Sequence, residues 1–269
     1  MTIQLSVRTD AAAEAAGAVA AAVSSLPVSL KPATGTPDVV AVAGTSGWTS
    51  SAADAVRSGA RGIVVAGPVP EDPTALAALA ATNSTAVVLD QKWAGNPVLA
   101  ESQDGVHAAL AHSLGDAVLL DSLAYGAPGS DPDVLLTEHL AVILKCRCHV
   151  LGWQSVQRTA HGYVVKGRLS NGAPLTLQGI LTSSVPATAK VSILTTSGRT
   201  DVVLPDPSAA WPAEVRSVSA DSATLLPTIY ETAHRHSWKR LRDQLEAGVP
   251  GKDLEQFSAL TSLVRQLTT

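Results

Sequence analysis

The order of segments predicts an α/β chain in two parts: a small parallel sheet, then an α+β region built on a large open antiparallel sheet. Three observations carry this. Continuous apolar runs at Val39–Ala43, Gly62–Ala66 and Ala86–Leu89 alternate with helical stretches of about ten residues, as in parallel βαβ units buried on both faces. From Val150 to Val203 the pattern changes to two-residue alternation broken by turns. The chain then closes with two helical stretches, His234–Ala247 and Leu254–Leu267, separated by Gly248 and Pro250-Gly251.

Taken in order, Ile3–Val7 alternates like a strand, and Asp10 is placed to cap one helix running to about Val23. Pro37-Asp38 breaks the chain before the first apolar run. Ser50–Ser58 reads as a helix stopped by Gly59, and Asp72-Pro73 opens another over Thr74–Ala81. Val106–Ser113 and Val134–Lys145 look helical. Tyr163–Leu169 followed by Ser170-Asn171-Gly172 is a hairpin signal, and Ser197-Gly198 is a second turn between Lys190–Thr195 and Thr200–Leu204. In the last helix Leu254, Phe257, Leu260, Leu263, Val264 and Leu267 form one apolar stripe. The expected division is 1–97 for the parallel part and 98–269 for the second, whose last helices can pack back on the first.

With 269 residues, a net charge of −4 and a pI near 5.9, the chain has no basic footprint, so no nucleic-acid partner is expected. Ala11–Val23 is apolar but short and is interrupted by Glu14, which suits a buried helix better than a membrane span. No signal-peptide pattern opens the sequence. Cys146 and Cys148 are too close for an ordinary disulfide. A cytoplasmic protein without membrane contact is the expectation.

Several residues invite chemistry. Cys146-Arg147-Cys148-His149 hints at metal, but the spacing is short for zinc, so no metal is expected; two small side chains in a half-buried strand is the competing reading. His139, on an apolar helix, is the best acid–base candidate, against a satisfied structural histidine. Asp131 and Asp133 flank Pro132 and suit either capping or a substrate hydroxyl. Lys92 and Trp93 follow the third apolar run, where Trp93 stacks on a sugar or seals an interface. Thr45-Ser46-Gly47 lies between a strand and a helix, where a small anion can sit. His161 reads as a turn residue, and His234-Arg235-His236 beside Trp238 as a solvated helix face.

The order of these pieces resembles the glucose–fructose oxidoreductase / inositol dehydrogenase family. The resemblance rests on Val39–Ala43, on Ala53 through Val65, on Gln91-Lys92-Trp93-Ala94-Gly95-Asn96-Pro97, and on His112–Val118. It rests also on Trp238–Leu241 through Gly248 with Asp253-Leu254-Glu255. It implies a Rossmann domain joined to an α/β domain with an open sheet, NAD or NADP as cofactor, and the open sheet as an oligomer surface. The working residues depart from that family. Its Glu-Lys-Pro reads Ala66-Gly67-Pro68 here, and its Asp with a His four residues on reads Asp131 with Leu135. Glycines in the first sixty residues are Gly17, Gly35, Gly44, Gly47 and Gly59, which do not make a G-x-G-x-x-G loop. Ile3–Asp10 aligns with the family's second strand, as though the first strand, loop and helix were gone.

The expectation is therefore a truncated, degenerate member with an incomplete Rossmann-like sheet and no nicotinamide cofactor. It would act as a homodimer, or as partner of a homologous oxidoreductase through the open sheet. Two alternatives stand beside it. One is an NAD(P)-dependent oxidoreductase using His139, Lys92 and Asp131, with Thr45, Ser46 and Gly47 toward the cofactor. The other is a cofactor-independent enzyme using the cleft.

Overall fold

A computed structural model describes residues 4–209, 211–249 and 251–269. Ile3 and Pro250, used above, lie outside the described residues. The chain divides into two compact units, the first comprising Met1–Gly95 with Ala233–Ser262 and the second Asn96–Thr232 with Leu263–Thr269.

The first unit begins with β1 (Leu5–Arg8), α1 (Ala11–Gly17), α2 (Val19–Ser24) and β2 (Leu30–Pro32). It continues with β3 (Val39–Ala43), α3 (Trp48–Arg57), β4 (Gly62–Ala66), α4 (Thr74–Thr82) and β5 (Ala86–Asp90). All five strands are parallel, in the order β2-β1-β3-β4-β5. The apolar runs become β3, β4 and β5 because strands covered on both sides need no polar alternation. β1 itself pairs with β3, Val7 against Val39 and Arg8 against Val40, so its end is level with the start of β3.

The single helix expected from Asp10 is two. Ala18 adopts the left-handed conformation (φ 44°), and the Glu14 carboxylate turns to accept from the Ala20 amide, capping α2. The break falls where α1 meets the sheet: a Cβ at Gly17 would lie 2.8 Å from that of Ala66.

In the second unit α5 (Asp104–Gly115) leads into β6 (Ala117–Gly126) and α6 (Pro132–Lys145). Seven strands follow: β7 (Val150–Thr159), β8 (Gly162–Leu169), β9 (Pro174–Leu181), β10 (Thr188–Thr195), β11 (Gly198–Pro205), β12 (Glu214–Ser219) and β13 (Ala223–Leu225). They form one sheet ordered β13-β12-β11-β10-β6-β9-β8-β7, antiparallel throughout except for the parallel pair β6–β9. Ser170-Asn171-Gly172 turns β8 into β9, with Gly172 at φ 89°. One face buries Leu120, Ala124, Leu177 and Val191. The opposite face carries Leu123, Tyr125 and Ile180 among Thr176, Gln178, Lys190 and Ser192, which are half-buried or exposed.

The cysteine pair is not in a strand. Cys146 caps the end of α6 and Arg147 is left-handed (φ 59°), so the segment is a helix terminus. Both thiols are buried. Burial pushes the Cys148 thiol up to about 12 and Cys146 well above the ordinary range, so neither is a ready thiolate.

The chain then returns to the first unit with α7 (Ala233–Ala247) and most of α8 (Asp253–Thr268). α7 covers the same sheet face as α1 and α2, where Trp238 and Leu241 join Val39, Ala41, Val64 and Val88 in one core. The segment read as a solvated face therefore turns Ser237 and Trp238 fully inward. β5 is an edge strand, and its outward backbone groups are covered by an ion pair. Asp253 accepts from the Leu89 amide at 2.9 Å, and Arg240 donates to Asp253 at 2.6 Å and to the Leu89 carbonyl at 3.3 Å. The pair supplies the hydrogen bonds of a neighbouring strand and closes an edge that would otherwise pair with other chains. Asp253→Ala is expected to cost about 2–3 kcal/mol in urea denaturation, because it strands both Arg240 and a strand amide. A loss below about 0.5 kcal/mol would show that water replaces the carboxylate there.

Candidate functional site

In the first sheet the chain leaves β1 toward β2 on one side, and leaves β3 toward β4 on the other. The order of an open parallel sheet reverses there, and ligands bind outside the carboxyl ends of the strands at such a point. Two helix N-termini reach this edge, and each is held by a carboxylate of the chain. Asp10 accepts from the Ala13 amide of α1 at 2.8 Å. Glu71 accepts from the amide of Gly47 and from the Thr49 hydroxyl at 3.1 Å at the start of α3. Thr45, Ser46 and Gly47 are exposed, as a binding loop requires, but the Gly47 amide is engaged by Glu71.

Gly67, where the resemblance implies a lysine, has a local reason to be glycine. Gly67 is left-handed (φ 62°), a conformation that costs any other side chain roughly 1 kcal/mol or more. A Cβ on Gly44 would strike the Gly67 carbonyl and Pro68, so the turns after β3 and β4 touch through bare backbone.

Asp90 ends β5 and is buried. Its carboxylate accepts from the Ser237 hydroxyl at 3.0 Å and meets His234 Nδ1 at 2.7 Å, both from α7. The sequence reading missed this cluster. Its signal was the stripe His234, Ser237, Trp238, Leu241, spaced for one helix face, opposite an acid ending an apolar strand. Lys92 lies two residues beyond, its ammonium 5.6 Å from the ring centroid of Trp93, which is itself buried. Burial of Trp93 matches the sealing alternative better than stacking on an open sugar.

His139 and Asp131 belong to the second unit, and the structure does not bring them together. Asp131 is the exposed cap of α6, accepting from the Asp133 amide at 2.8 Å, while Asp133 pairs with Arg158 at 2.7 Å. His139 is two turns further on, in the core. Its Nε2 meets the Ser122 hydroxyl at 2.6 Å and its Nδ1 the Tyr163 hydroxyl at 2.9 Å. Ser122 donates onward to the Lys190 carbonyl at 2.7 Å, so it accepts from Nε2–H, and Nδ1 accepts from Tyr163. Every ring nitrogen is thereby satisfied in the neutral tautomer. Burial depresses its pKa from the ordinary 6.5 to about 3. Gly179 leaves the room that the Tyr163 ring fills. His161, exposed, lies in the β7–β8 turn, its amide donating to Thr159 at 3.1 Å.

Among the described residues no helix is long and apolar enough to cross a membrane. No protein-family model matches the chain, and no curated protein matches it in sequence. Solved structures do. The 3-ketoreductase KijD10 from Actinomadura kijaniata, in complex with TDP-benzene and NADP, superposes with a TM-score of 0.71 at 14% identity over 100% of this chain and 98% of its own. UDP-N-acetylglucosamine 3-dehydrogenase GnnA from Acidithiobacillus ferrooxidans gives 0.66 at 12% identity, covering 99% and 97%. The dehydrogenase MviM from Clostridium difficile gives 0.57 at 10%, covering 88% and 82%. KijD10 carries NADP on this fold over almost its full length, which overturns the expectation of no nicotinamide cofactor drawn from the missing glycine loop. The chain thus has the two-part architecture of the sugar ketoreductases and dehydrogenases of the glucose–fructose oxidoreductase type.

Proposed function

We propose that this chain is a nicotinamide-dependent oxidoreductase acting on a sugar or small polyol, with the dinucleotide laid along the carboxyl edge of the first sheet. One observation carries this reading: the likeness in fold to KijD10 covers 100% of this chain and 98% of that one. The residues fit such a group once Glu71 turns away from Gly47, since the Gly47 amide and the hydroxyls of Thr45 and Ser46 then face a phosphate. When bound, the nicotinamide supplies the hydride. Lys92, at the end of β5, is the cation assigned to the reacting carbonyl in place of the lysine that Gly67 replaces. Asp131, exposed on α6, is assigned a substrate hydroxyl. His139 holds the core beneath α6 in its neutral form. The open face of the second sheet is assigned to a second copy of the chain or to a homologous subunit.

A second reading, an accessory subunit with little turnover of its own, is favoured by Gly67 and Leu135 at the two positions where the resemblance implies Lys and His. Titration of NADPH, followed by its fluorescence, is expected to saturate in the micromolar to millimolar range usual for enzyme ligands. Oxidation of NADPH by 3-ketosugar nucleotides should then fall about 100-fold or more in Lys92→Met. Saturable binding without turnover favours the accessory reading. No binding at millimolar NADPH removes the dinucleotide reading altogether.

A further inference from the structure

Reduction of a carbonyl needs a proton as well as a hydride, and no histidine has yet been placed to give one. His139 is neutral and enclosed, with both ring nitrogens engaged by Ser122 and Tyr163. Leu135 stands where the resemblance implies a histidine. Burial keeps both cysteine thiols protonated.

The first unit holds an aspartate–histidine pair with the required chemistry. His234 sits in the first turn of α7, its Nδ1 2.7 Å from Asp90 Oδ2. The Ser237 hydroxyl donates to Asp90 Oδ1 at 3.0 Å. α1 closes in as well, since a Cβ on Gly17 would lie 3.4 Å from Oδ2. The carboxylate is therefore fixed. Its side chain is fully buried, while that of His234 keeps 14% of its surface exposed, so the imidazole is the outward member of the pair. By accepting from Nδ1–H, Asp90 sets the tautomer and makes Nε2 the nitrogen that gives or takes a proton. Of the charged groups around this turn, Asp90 from β5 meets the ring and Lys92 stands over Trp93. Arg235, next along α7, is turned to the Ser25 hydroxyl at 3.1 Å.

The pair stands at the sheet edge assigned to the dinucleotide. Asp90 is the last residue of β5. α7 starts against the turn that follows, where a Cβ on Gly95 would lie 3.5 Å from that of Ala233. It then runs down the sheet until Leu241 and Leu245 reach Gly62 at the start of β4. His234 is thus at the carboxyl edge, and the turn beside it carries Lys92.

We infer that His234, oriented by Asp90, is the acid–base group of the reaction. In ketone reduction the Nε2–H bond breaks and its proton forms the O–H bond of the new hydroxyl, while the hydride forms the C–H bond. The ketone is reduced, the dinucleotide is oxidised, and water returns a proton to the ring. In alcohol oxidation Nε2 takes the hydroxyl proton. This rests on the dinucleotide reading above.

The test separates holding Asp90 from moving a proton. His234→Asn keeps a side-chain N–H for Asp90 and cannot carry the proton, and the urea midpoint checks its fold. Reduction of 3-ketosugar nucleotides should fall about 100-fold or more in His234→Asn, in kcat, with the dissociation constant for NADPH unchanged. In the unaltered chain reduction should slow, and the reverse oxidation quicken, as pH rises through the titration of the ring; His234→Asn should lose both slopes. A second readout needs no turnover. The His234 ring signal in NMR, identified by its loss in His234→Asn or His234→Gln, should titrate between about pH 5 and 8 and shift on addition of NADPH. An unaltered kcat in His234→Asn, or a ring signal that neither titrates nor responds to NADPH, overturns the inference and leaves the dinucleotide reading standing. Saturable NADPH binding without turnover in the unaltered chain also removes the inference alone. Failure of NADPH to bind at millimolar concentration removes the dinucleotide reading and the inference with it.

Discussion

Asp90→Ala is expected to be among the most damaging single changes in the first unit, costing about 3 kcal/mol and occasionally more. The carboxylate is buried at the end of β5 and joins two residues of α7, Ser237 and His234. Without it Ser237 retains only the Ala233 carbonyl at 3.0 Å, and His234 Nδ1 loses its acceptor. The loss should appear in the urea midpoint with the slope unchanged. A double-mutant cycle with His234→Ala should return a coupling of about 1 kcal/mol or more. A cost for Asp90→Ala no greater than that of an exposed aspartate, about 0.5 kcal/mol, would show that α7 is held by its apolar stripe alone.

The second large effect is acid lability through His139. Its pKa in the folded chain, about 3, is below the ordinary 6.5, so the fold favours the neutral ring. Above pH 6.5 this contribution is present in full. As pH falls from 6.5 toward 3 the unfolded chain takes up a proton that the folded chain refuses, and stability drops by about 1.4 kcal/mol per pH unit. At pH 5 the loss attributable to this one residue is on the order of 2 kcal/mol. His139→Gln should lower stability at pH 7, because Ser122 and Tyr163 lose their common partner, and should flatten the curve between pH 7 and 4. A slope surviving in His139→Gln would assign the acid sensitivity to other groups. Asp38, whose carboxyl is held below its ordinary range chiefly by the Ser6 amide, adds its own loss at lower pH.

The parallel sheet was legible because burial on both faces writes itself as unbroken runs such as Val39–Ala43 and Gly62–Ala66. Strand partners were not. Val7 pairs with Val39, a contact thirty-odd residues apart that no local pattern encodes. The helix break at Ala18 was hidden because nothing in a run of alanines marks the left-handed residue; its cause, Gly17 against Ala66, is tertiary. Of the candidate residues, Thr45–Gly47 and Lys92 are at the sheet's carboxyl edge because strand ends are readable. His139 was read by chemical type, and type does not report that both its nitrogens face Ser122 and Tyr163. Asp90 and Ser237 escaped notice, and His234 was read as solvated, since their meeting spans more than a hundred residues.

The rim sealed by Arg240 and Asp253 has a consequence for biosynthesis. Every residue between Gly95 and Ala233 must leave the ribosome before the helices that shield β5 exist, so the nascent parallel sheet waits with one flank bare. During that interval the half-made protein is a natural client for chaperones and a vulnerable one for self-association. Slowing translation upstream of α7 would lengthen the exposure without altering a single amino acid.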